Sequence, residues 1–288
     1  MTVVRVAALQ MRSGQEVARN AADFEAQVRE AAGRGAAYVQ SPEMTGALMR
    51  DKQALKASLK PQDEDVIART AARLAAELGI VVHVGSTAIA RPDGKVANRA
   101  FVFGPDGALL ATYDKIHMFD VDLDNGESWR ESATYEPGVA STVVELPFGR
   151  LGLAVCYDVR FPQLFRAQAL AGAQVLTMPA AFTRQTGEAH WHVLQRARAI
   201  ENGAFVISAA QGGRHDDGRE TYGHSLVVDP WGRVLAEADH DEPAVVVADI
   251  DLAAVAEARG RIPNLKNARE FRVEHVTATQ GAAAGAAP

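Results

Sequence analysis

Arg150-Leu-Gly-Leu-Ala-Val-Cys156-Tyr-Asp-Val-Arg160 joins a short aliphatic run to the only cysteine of the chain. Residues 151–155 are apolar and charged residues lie on both sides, which predicts a buried β-strand that ends at the thiol. In α/β proteins, ligands bind where such strands end. Cys156 is therefore a candidate nucleophile, while the alternative is a buried free cysteine that acts only as a small hydrophobic residue.

Strand and helix patterns alternate on both sides of this stretch. Alternating apolar residues predict strands at 3–10, 36–40, 80–86, 98–103, 108–113, 143–146, 150–155, 174–178, 204–209, 225–229, 233–236 and 244–250. Helical periodicity predicts helices at 16–34, 64–78, 163–171 and 189–202. Gly104-Pro-Asp-Gly107 and Pro230-Trp-Gly232 are typical of hairpin turns. This mixture predicts the α/β class, as a four-layer α-β-β-α sandwich of two mixed β-sheets with outer helices.

The domain organisation follows from the absence of a linker and of internal repeats. We predict one domain over residues 1–273 and a flexible C-terminal tail at 274–288, of which residues 281–288 contain only Gly, Ala and Pro. Residues 261–273 lack periodicity and are typical of a segment that packs on a partner subunit.

Composition excludes several functions. A net charge of −6 and a pI near 5.8 argue against a nucleic-acid partner, which needs a basic surface. No apolar run reaches the roughly 18–20 residues that span a bilayer, so no membrane partner is expected. The first ten residues resemble a strand rather than a signal peptide. A single cysteine without an export signal predicts a cytoplasmic location.

Three further polar residues follow predicted strands or lie in nearby loops. Glu43 comes after Ser41-Pro42, where the proline ends the strand. Lys115 follows a hairpin strand and precedes apolar residues, and it is one of only six lysines among 30 basic residues. Glu131 lies in a polar loop, with Glu127 as an alternative acid. Each of these residues, taken alone, also fits a solvated side chain.

Other constellations are weak. His190 and His192 lie close together, but no spaced Cys, Asp or Glu set surrounds them, so no metal site is predicted. Gly212-Gly213 precedes no helix, so no nucleotide-binding loop and no cofactor are predicted. The chain lacks Gly-x-Ser-x-Gly, which excludes the usual serine-hydrolase elbow.

Taken together, Ser41-Pro-Glu43, Tyr113-Asp-Lys115-Ile-His117 and Leu151–Pro162 resemble the Glu–Lys–Cys motifs of the carbon–nitrogen hydrolase (nitrilase) superfamily. The resemblance extends from about residue 3 to residue 272. Within the superfamily the chain resembles the Nit branch of ω-amidases and deaminated-glutathione amidases, through Arg196–Asn202 and Tyr222–Gly232. The family implies the same α-β-β-α sandwich and a homodimer or higher homo-oligomer.

The resemblance also implies residue roles. It makes Cys156 the nucleophile, Glu43 the general base, Lys115 an oxyanion-stabilising cation and Glu131 the residue that positions Lys115. It implies substrate binding by Tyr157, Arg160, Phe182, Thr183 and His190. The backbone N–H of Tyr157 would contact the oxyanion, and Arg160 could bind a substrate carboxylate in a bidentate manner. The alternative for Arg160 is a salt bridge with Asp158 or a neighbour.

The implied reaction is hydrolysis of a small linear amide, such as deaminated glutathione or an α-keto acid ω-amide, to an acid and ammonia. True nitrilases typically have Trp-Glu after the cysteine, whereas Tyr157-Asp158 follow here, which favours amides. Competing hypotheses are hydrolysis of N-carbamoyl compounds, hydrolysis of nitriles, and a binding or scaffold protein whose activity is incidental. The last hypothesis does not account for the presence of all four catalytic side chains.

Overall fold

The computed structural model describes residues 3–123, 126 and 128–277. Its strands are β1 (Val3–Gln10), β2 (Tyr38–Gln40), β3 (Val81–Ala90), β4 (Val96–Phe103), β5 (Leu109–Asp114), β6 (Asp120–Asp122), β7 (Ser128–Arg130), β8 (Thr142–Leu146), β9 (Gly149–Leu153), β10 (Val175–Thr177), β11 (Phe205–Ser208), β12 (Gly212–Arg214), β13 (Glu220–Tyr222), β14 (Leu226–Val228), β15 (Val234–Glu237) and β16 (Ala244–Asp251). Its α-helices are α1 (Val17–Gly33), α2 (Lys52–Ser58), α3 (Val66–Leu78), α4 (Pro162–Leu170), α5 (Arg184–Asn202), α6 (Ala253–Arg261) and α7 (Asn264–Asn267). Two 3-10 turns span Glu131–Ala133 and Cys156–Arg160.

Twelve of the described strands form two six-stranded mixed sheets. The first sheet has the order β16-β1-β2-β3-β4-β5 and the second has the order β15-β14-β11-β10-β9-β8. Strand β1 pairs with β2 in parallel and with β16 antiparallel, so the first sheet is mixed. The predicted pair of mixed sheets is therefore confirmed.

Alternation along β1 shows how the sequence builds the layers. Val4, Val6 and Ala8 belong to the core between the sheets, where they join Leu151 and Leu153 of the second sheet. The intervening Ala7 and Leu9 belong to a second core on the other face. Since successive side chains of a strand point to opposite faces, one strand contributes to both cores.

Helices cover the outer faces of the two sheets. Phe24 of α1 and Leu74 of α3 join the outer core of the first sheet. Phe165 of α4 and Trp191 of α5 pack on the second sheet. This arrangement confirms the predicted four-layer sandwich. No helix within the described ranges combines the length and the apolar character needed to cross a membrane.

The two sheets approach each other closely at the end where strands β2 and β9 lead into Glu43 and Cys156. Gly85 of β3 packs against the backbone of Ser41, after β2, and against Pro179, after β10 of the second sheet. A side chain at residue 85 would collide with both, so glycine is required there for this close approach. Residues that follow β2 and β10 are thereby brought next to one another.

The C-terminal region is more regular than the sequence pattern predicted. Helices α6 and α7 extend helical structure to Asn267, although the periodicity fades at about residue 259. Residues 268–277 have no regular secondary structure and are exposed to solvent. Of the predicted flexible tail at 274–288, residues 278–288 lie outside the described residues. The single domain over 1–273 stays a prediction.

Candidate active site

Cys156 begins the 3-10 turn that follows β9. Its φ angle of 49° lies in the left-handed region, which is uncommon for a residue with a side chain and is often found at functional sites. Its backbone N–H donates a hydrogen bond to the carbonyl oxygen of Pro179 at 2.8 Å, which anchors the turn to the strand exit of β10. The next N–H of the turn, that of Tyr157, has no acceptor among the described residues, as is usual in the first turn of a helix. It is available to an oxyanion that forms beside the thiol.

Asp158 fixes this turn from inside the protein. Its fully buried carboxylate accepts hydrogen bonds from the Val155 N–H at 2.8 Å and the Tyr113 hydroxyl at 2.7 Å. It also accepts from the His117 N–H at 3.1 Å and lies 2.6 Å from His117 Nδ1. Since Tyr113 is on β5, this carboxylate ties the turn of the second sheet to the end of a strand in the first.

Lys115 lies between two carboxylates. Its Nζ is 2.9 Å from Glu43 Oε1 and 2.8 Å from Glu131 Oε2, and its side chain is 2% exposed. Glu131 is also held by the backbone N–H of Phe119 at 2.7 Å. A buried ammonium needs paired charges and hydrogen bonds to offset its desolvation, and this site supplies both. The structure therefore brings together the sequence-predicted Glu43, Lys115, Glu131 and Cys156, whereas Glu127 lies outside the described residues.

Asn98 of β4 is a site residue that the sequence patterns did not indicate. Its Nδ2 donates to Glu43 Oε1 at 2.9 Å and to Glu131 Oε1 at 3.1 Å, so it bridges the two acids. The backbone carbonyl oxygen of Asn98 accepts a hydrogen bond from the backbone N–H of Lys115 at 2.9 Å. The one available signal was a polar residue within the strand pattern of 98–103. The hairpin places that strand beside the one that precedes Lys115.

The charges of the site favour a neutral thiol beside a carboxylate. Burial, and then the negative charge of Glu43, raise the pKa of the Cys156 thiol well above its ordinary value of 9.0. Burial also raises the pKa of Glu43. The Lys115 charge and hydrogen bonds from Lys115, Cys156 and Asn98 outweigh this effect, so the pKa of Glu43 lies below 4.5. Burial opposes the charged form of Lys115, but Glu131 and Glu43 raise its pKa well above 10.5.

This resting state makes a pH prediction. We expect kcat/KM to fall on the acid side only below pH 4.5. The reason is that Glu43, whose pKa is lowered, must stay ionised to accept a proton. We also expect no thiolate absorbance in the ultraviolet below pH 9.0. The measurement is a pH titration of the protein against its Cys156→Ser variant. A thiolate step near neutral pH, present only in the parent protein, would contradict the neutral-thiol state.

Asn98→Ala is expected to lower kcat by about 10- to 100-fold, because Glu43 and Glu131 lose the amide that fixes their spacing. Substrate affinity should change little, since Asn98 does not line the cavity. Steady-state kinetics and the thermal unfolding midpoint check this effect, and Asn264→Ala on α7 is the control. A loss of kcat that follows only from unfolding at the assay temperature would assign Asn98 a structural role.

A cavity of about 440 Å³ opens beside Cys156. This volume falls within the range of about 300–1,000 Å³ that is typical of small-molecule sites. Tyr157, Phe182 and Thr183, all predicted to bind substrate, line it together with the four catalytic candidates. Phe182 packs on Trp191 with ring centroids 5.1 Å apart, and Thr183 is the residue before α5. Helix α5, which covers the second sheet, therefore also fixes Phe182 and Thr183 in the cavity wall.

The structure does not bring Arg160 and His190 into this cavity, whose lining includes neither residue. Arg160 Nη2 lies 3.2 Å from His190 Nδ1, and its guanidinium carbon lies 5.4 Å from the centroid of the Phe182 ring. An ion pair of Arg160 with Asp158 is not formed either, since Asp158 is bonded to His117 and Tyr113. Arg160 and His190 therefore contact each other next to a residue of the cavity wall, and their contact with substrate stays a prediction.

Residues 3–123, 126 and 128–277 contain no candidate metal site. No group of three or more His, Cys, Asp or Glu side chains in these ranges is placed to hold a metal ion. His192 instead lies 2.6 Å from Glu237, and His190 faces Arg160.

The fold and the residues around Cys156 define a class of protein. The chain belongs to the carbon–nitrogen hydrolase family, whose model matches residues 5–260. It is 37% identical over 272 residues to a deaminated glutathione amidase of Yersinia enterocolitica, covering 93% of this chain and 94% of that protein. It is 38% identical over 269 residues to the human omega-amidase NIT2, covering 93% and 96%.

The solved structures agree with this assignment. The chain resembles the NitFhit protein of C. elegans with a TM-score of 0.86 and 33% identity, over 93% of this chain and 65% of that longer one. The predicted membership of the carbon–nitrogen hydrolase superfamily is therefore confirmed.

Proposed function

We propose that the chain hydrolyses a small linear carboxamide to a carboxylate and ammonia through a thioester on Cys156. One observation carries this proposal: the Lys115 ammonium is buried between Glu43 and Glu131, beside a thiol that opens into a cavity. A thiol, an ionised base and a fixed cation are the groups that acyl transfer requires.

In the first half of the reaction, the Cys156 sulfur attacks the amide carbon while its proton passes to Glu43. The carbonyl oxygen takes the electron pair of the C=O bond and becomes an oxyanion, which Lys115 and the Tyr157 N–H stabilise. The oxyanion then collapses, the C–N bond breaks, and the proton on Glu43 moves to the departing nitrogen. Ammonia leaves, and the acyl group remains on sulfur.

In the second half, Glu43 takes a proton from a water molecule that attacks the thioester carbon. Collapse of the second oxyanion breaks the C–S bond, and the proton returns from Glu43 to the sulfur. Glu131 has a positioning role, because both of its oxygens hold Lys115 and one accepts the Phe119 N–H. The oxyanion-stabilising charge is thereby fixed before substrate arrives.

We propose deaminated glutathione, or a related α-keto acid ω-amide, as the substrate, which would make the protein a metabolite-repair enzyme. Two relatives that match over most of both chains support this choice, one called a deaminated glutathione amidase and the other an omega-amidase. Their sequence identities to this chain are 37% and 38%, which do not distinguish the two substrates. An activity assay therefore decides between deaminated glutathione and the α-keto acid ω-amide.

The test is an ammonia-release assay with the purified protein on deaminated glutathione, an α-keto acid ω-amide, an N-carbamoyl amino acid and an aliphatic nitrile. Turnover of either amide, abolished in Cys156→Ala, supports the proposal. Carbon dioxide released with ammonia from the carbamoyl compound would identify a carbamoyl hydrolase, and turnover of the nitrile would identify a nitrilase. Absence of turnover on all four would favour the binding-protein alternative.

We also propose a homodimer. Helix α5 exposes Val193 and Ile200 on one face, and the neighbouring Trp231 is 49% exposed. Gly232 packs against Ile200, so these three apolar side chains belong to one surface, which is typical of a subunit contact. Light scattering of the parent protein and of Val193→Asp checks the proposal, with a shift to monomer expected in the variant. A monomer in both samples would contradict it.

We propose a cytoplasmic location because a single free cysteine that must stay reduced suits a reducing compartment. Subcellular fractionation of the native host with an antibody to the chain tests this location. Recovery in an oxidising compartment would contradict it.

A further inference from the structure

The backbone directly after the proposed base has an unfavourable conformation. In the described part of the chain, three residues other than glycine have a φ angle in the left-handed region, namely Met44, Cys156 and His224. Met44, with a φ angle of 55°, follows Glu43 directly, and Cys156 is the proposed nucleophile. A side chain makes this region costly, so such a conformation persists only where surrounding contacts hold it. The turn that presents Glu43 to the thiol therefore depends on contacts with other parts of the fold.

Gln211 holds this turn from the side of the second sheet. It follows β11, and its side chain is fully buried. Its Nε2 donates hydrogen bonds to the backbone carbonyl oxygen of Glu43 at 3.0 Å and to that of Met44 at 3.5 Å. The carbonyl carbons of these two residues are the two ends of the Met44 φ torsion, so one amide group contacts both ends. Ser86 of β3 holds the same turn from the first sheet, where its Oγ accepts the Met44 N–H at 3.1 Å.

Ser13 determines the orientation of the Gln211 amide. The backbone N–H of Ser13 donates to Gln211 Oε1 at 2.9 Å, and Gln211 Nε2 donates to Ser13 Oγ at 2.8 Å. Ser13 Oγ in turn donates to the carbonyl oxygen of Thr45 at 3.2 Å. A flipped amide would place its NH₂ group against the Ser13 N–H and its oxygen against the carbonyl oxygen of Glu43. Both contacts leave buried groups without partners, so the amide N–H groups are fixed toward Glu43.

The backbone of Gln211 shares its anchor with the nucleophile and the base. This anchor is the segment 179–181, which follows β10. The carbonyl oxygen of its first residue accepts the Cys156 N–H at 2.8 Å, and that of its second residue accepts the Gln211 N–H at 2.9 Å. The N–H of its third residue donates to Glu43 Oε2 at 2.9 Å. The position of Gln211 is therefore coupled to the positions of the thiol and of the carboxylate.

We propose that Gln211 is a positioning residue for the general base, because its amide holds the turn after Glu43 in register with the turn that carries Cys156. This inference rests on the proposed amide hydrolysis and adds a residue that acts on the base through the backbone. A base is effective only within hydrogen-bond reach of its proton, and a displacement of about 1 Å can cost about 10²-fold in rate. Gln211 is not among the residues that line the cavity, so we expect it to affect kcat rather than KM.

Gln211→Met tests this role, because methionine has nearly the length of glutamine but lacks the amide. We expect kcat for the amide substrate to fall by about 10- to 100-fold and KM to change by less than about 3-fold. The acid side of the pH profile of kcat/KM should move to higher pH. The reason is that a displaced Glu43 loses contacts with Lys115 and Asn98, which lower its pKa. Steady-state kinetics across pH and the thermal unfolding midpoint are the measurements.

Gln195→Met is the matched control. Gln195 is also a fully buried glutamine, and its Oε1 accepts a hydrogen bond from Ser208 Oγ at 2.8 Å, but it does not line the cavity. Its variant should lower the unfolding midpoint and leave the pH profile of kcat/KM unchanged. Gln211→Asn is the second variant if Gln211→Met is unfolded. Its shorter amide keeps a polar partner for Ser13 but does not reach Ser13 and Glu43 together, so it should show the same shift of the pH profile with a smaller loss of kcat.

The kinetic outcomes decide between a positioning role and a merely structural one. A fall in kcat without a shift of the pH profile in folded Gln211→Met would overturn the inference. Equal effects of Gln211→Met and Gln195→Met would overturn it as well. If Gln211→Met is unfolded, parental kinetics in Gln211→Asn would overturn it, and a lower kcat with a shifted profile would support it.

Alkylation of Cys156 separates this inference from the proposed function. If the parent protein hydrolyses no amide, the proposed function fails and the rate of alkylation by iodoacetamide decides the role of Gln211. In this step the sulfur forms a bond to the methylene carbon, iodide leaves, and the thiol proton passes to Glu43. Cys156 is the only cysteine, so mass spectrometry of the whole chain reports its alkylation. Slower alkylation in Gln211→Met than in the parent protein and in Gln195→Met would support the inference, and equal rates in all three would overturn it.

Discussion

Cys156→Ala is expected to reduce ammonia release by at least about 10⁴-fold, because no other group can form the thioester. Cys156 is the only thiol of the chain, so no neighbouring cysteine can replace it. The cavity and the pairing of Lys115 do not depend on the sulfur, so substrate should still bind. The measurements are steady-state turnover of the amide found in the assay above, and calorimetric binding of the same amide to the variant.

Two further variants control this result. Glu43→Gln should lose about 10²–10⁴-fold in rate. The double variant Glu43→Gln/Cys156→Ala should be no slower than Cys156→Ala, because the base acts only through the thiol and the water that follows it. Independent, multiplicative losses would show that Glu43 acts in another step. Turnover by Cys156→Ala near that of the parent protein would exclude the thioester mechanism.

Lys115→Met is expected to affect stability as well as rate. Removing the ammonium leaves Glu43 and Glu131 as unpaired carboxylates in a site where the lysine is 2% exposed. Loss of one partner from a buried ion pair commonly costs about 3–5 kcal/mol in the free energy of unfolding. The rate should fall by about 10²–10³-fold, because the oxyanion loses its cation. Chemical denaturation and steady-state kinetics measure the two effects.

The exposed ion pair of Lys95 with Glu136 is the matched control, since Lys95→Met should cost roughly 1 kcal/mol or less. Lys115→Met should also regain stability as the pH falls. Without the ammonium, the largest remaining influence on Glu43 is burial, which raises the pKa of its carboxyl, so protonation of Glu43 favours the folded form. Lys115→Met/Glu131→Gln should recover part of the stability but not the rate. Equal losses at residues 95 and 115 would contradict this account of the site.

The catalytic groups could be predicted from the sequence because each lies at a strand exit or in a loop beside one. Strands can be recognised from alternation, and their ends are marked by turn residues such as Pro42. The resemblance of three such stretches to one family then fixed their relative positions. The role of Asn98 was not predicted, because Asn98 lies within a strand, where a polar residue is ordinarily interpreted as facing solvent.

Other contacts around the cavity could not be predicted in the same way. Arg160 is four residues after the nucleophile, and its contact with His190 on α5 was not indicated by the sequence. Trp129 and Arg219 are far apart in sequence, and they meet only because the short pairs β6–β7 and β12–β13 are brought together in space. Three-residue strands carry almost no periodic signal, so neither pair was predicted.

The division of the catalytic groups between the two sheets has a consequence for how activity appears during folding. Glu43 and Lys115 follow strands of the first sheet, whereas Cys156 follows a strand of the second. The first sheet also needs β16, which pairs with β1 along eight residues and places Val246, Ala248 and Ile250 between the sheets. Its strands therefore come from both ends of the described chain. A nascent chain that has not yet reached residue 244 should be inert, however well its thiol is formed, and enzyme activity should begin only when the last strand has closed the first sheet.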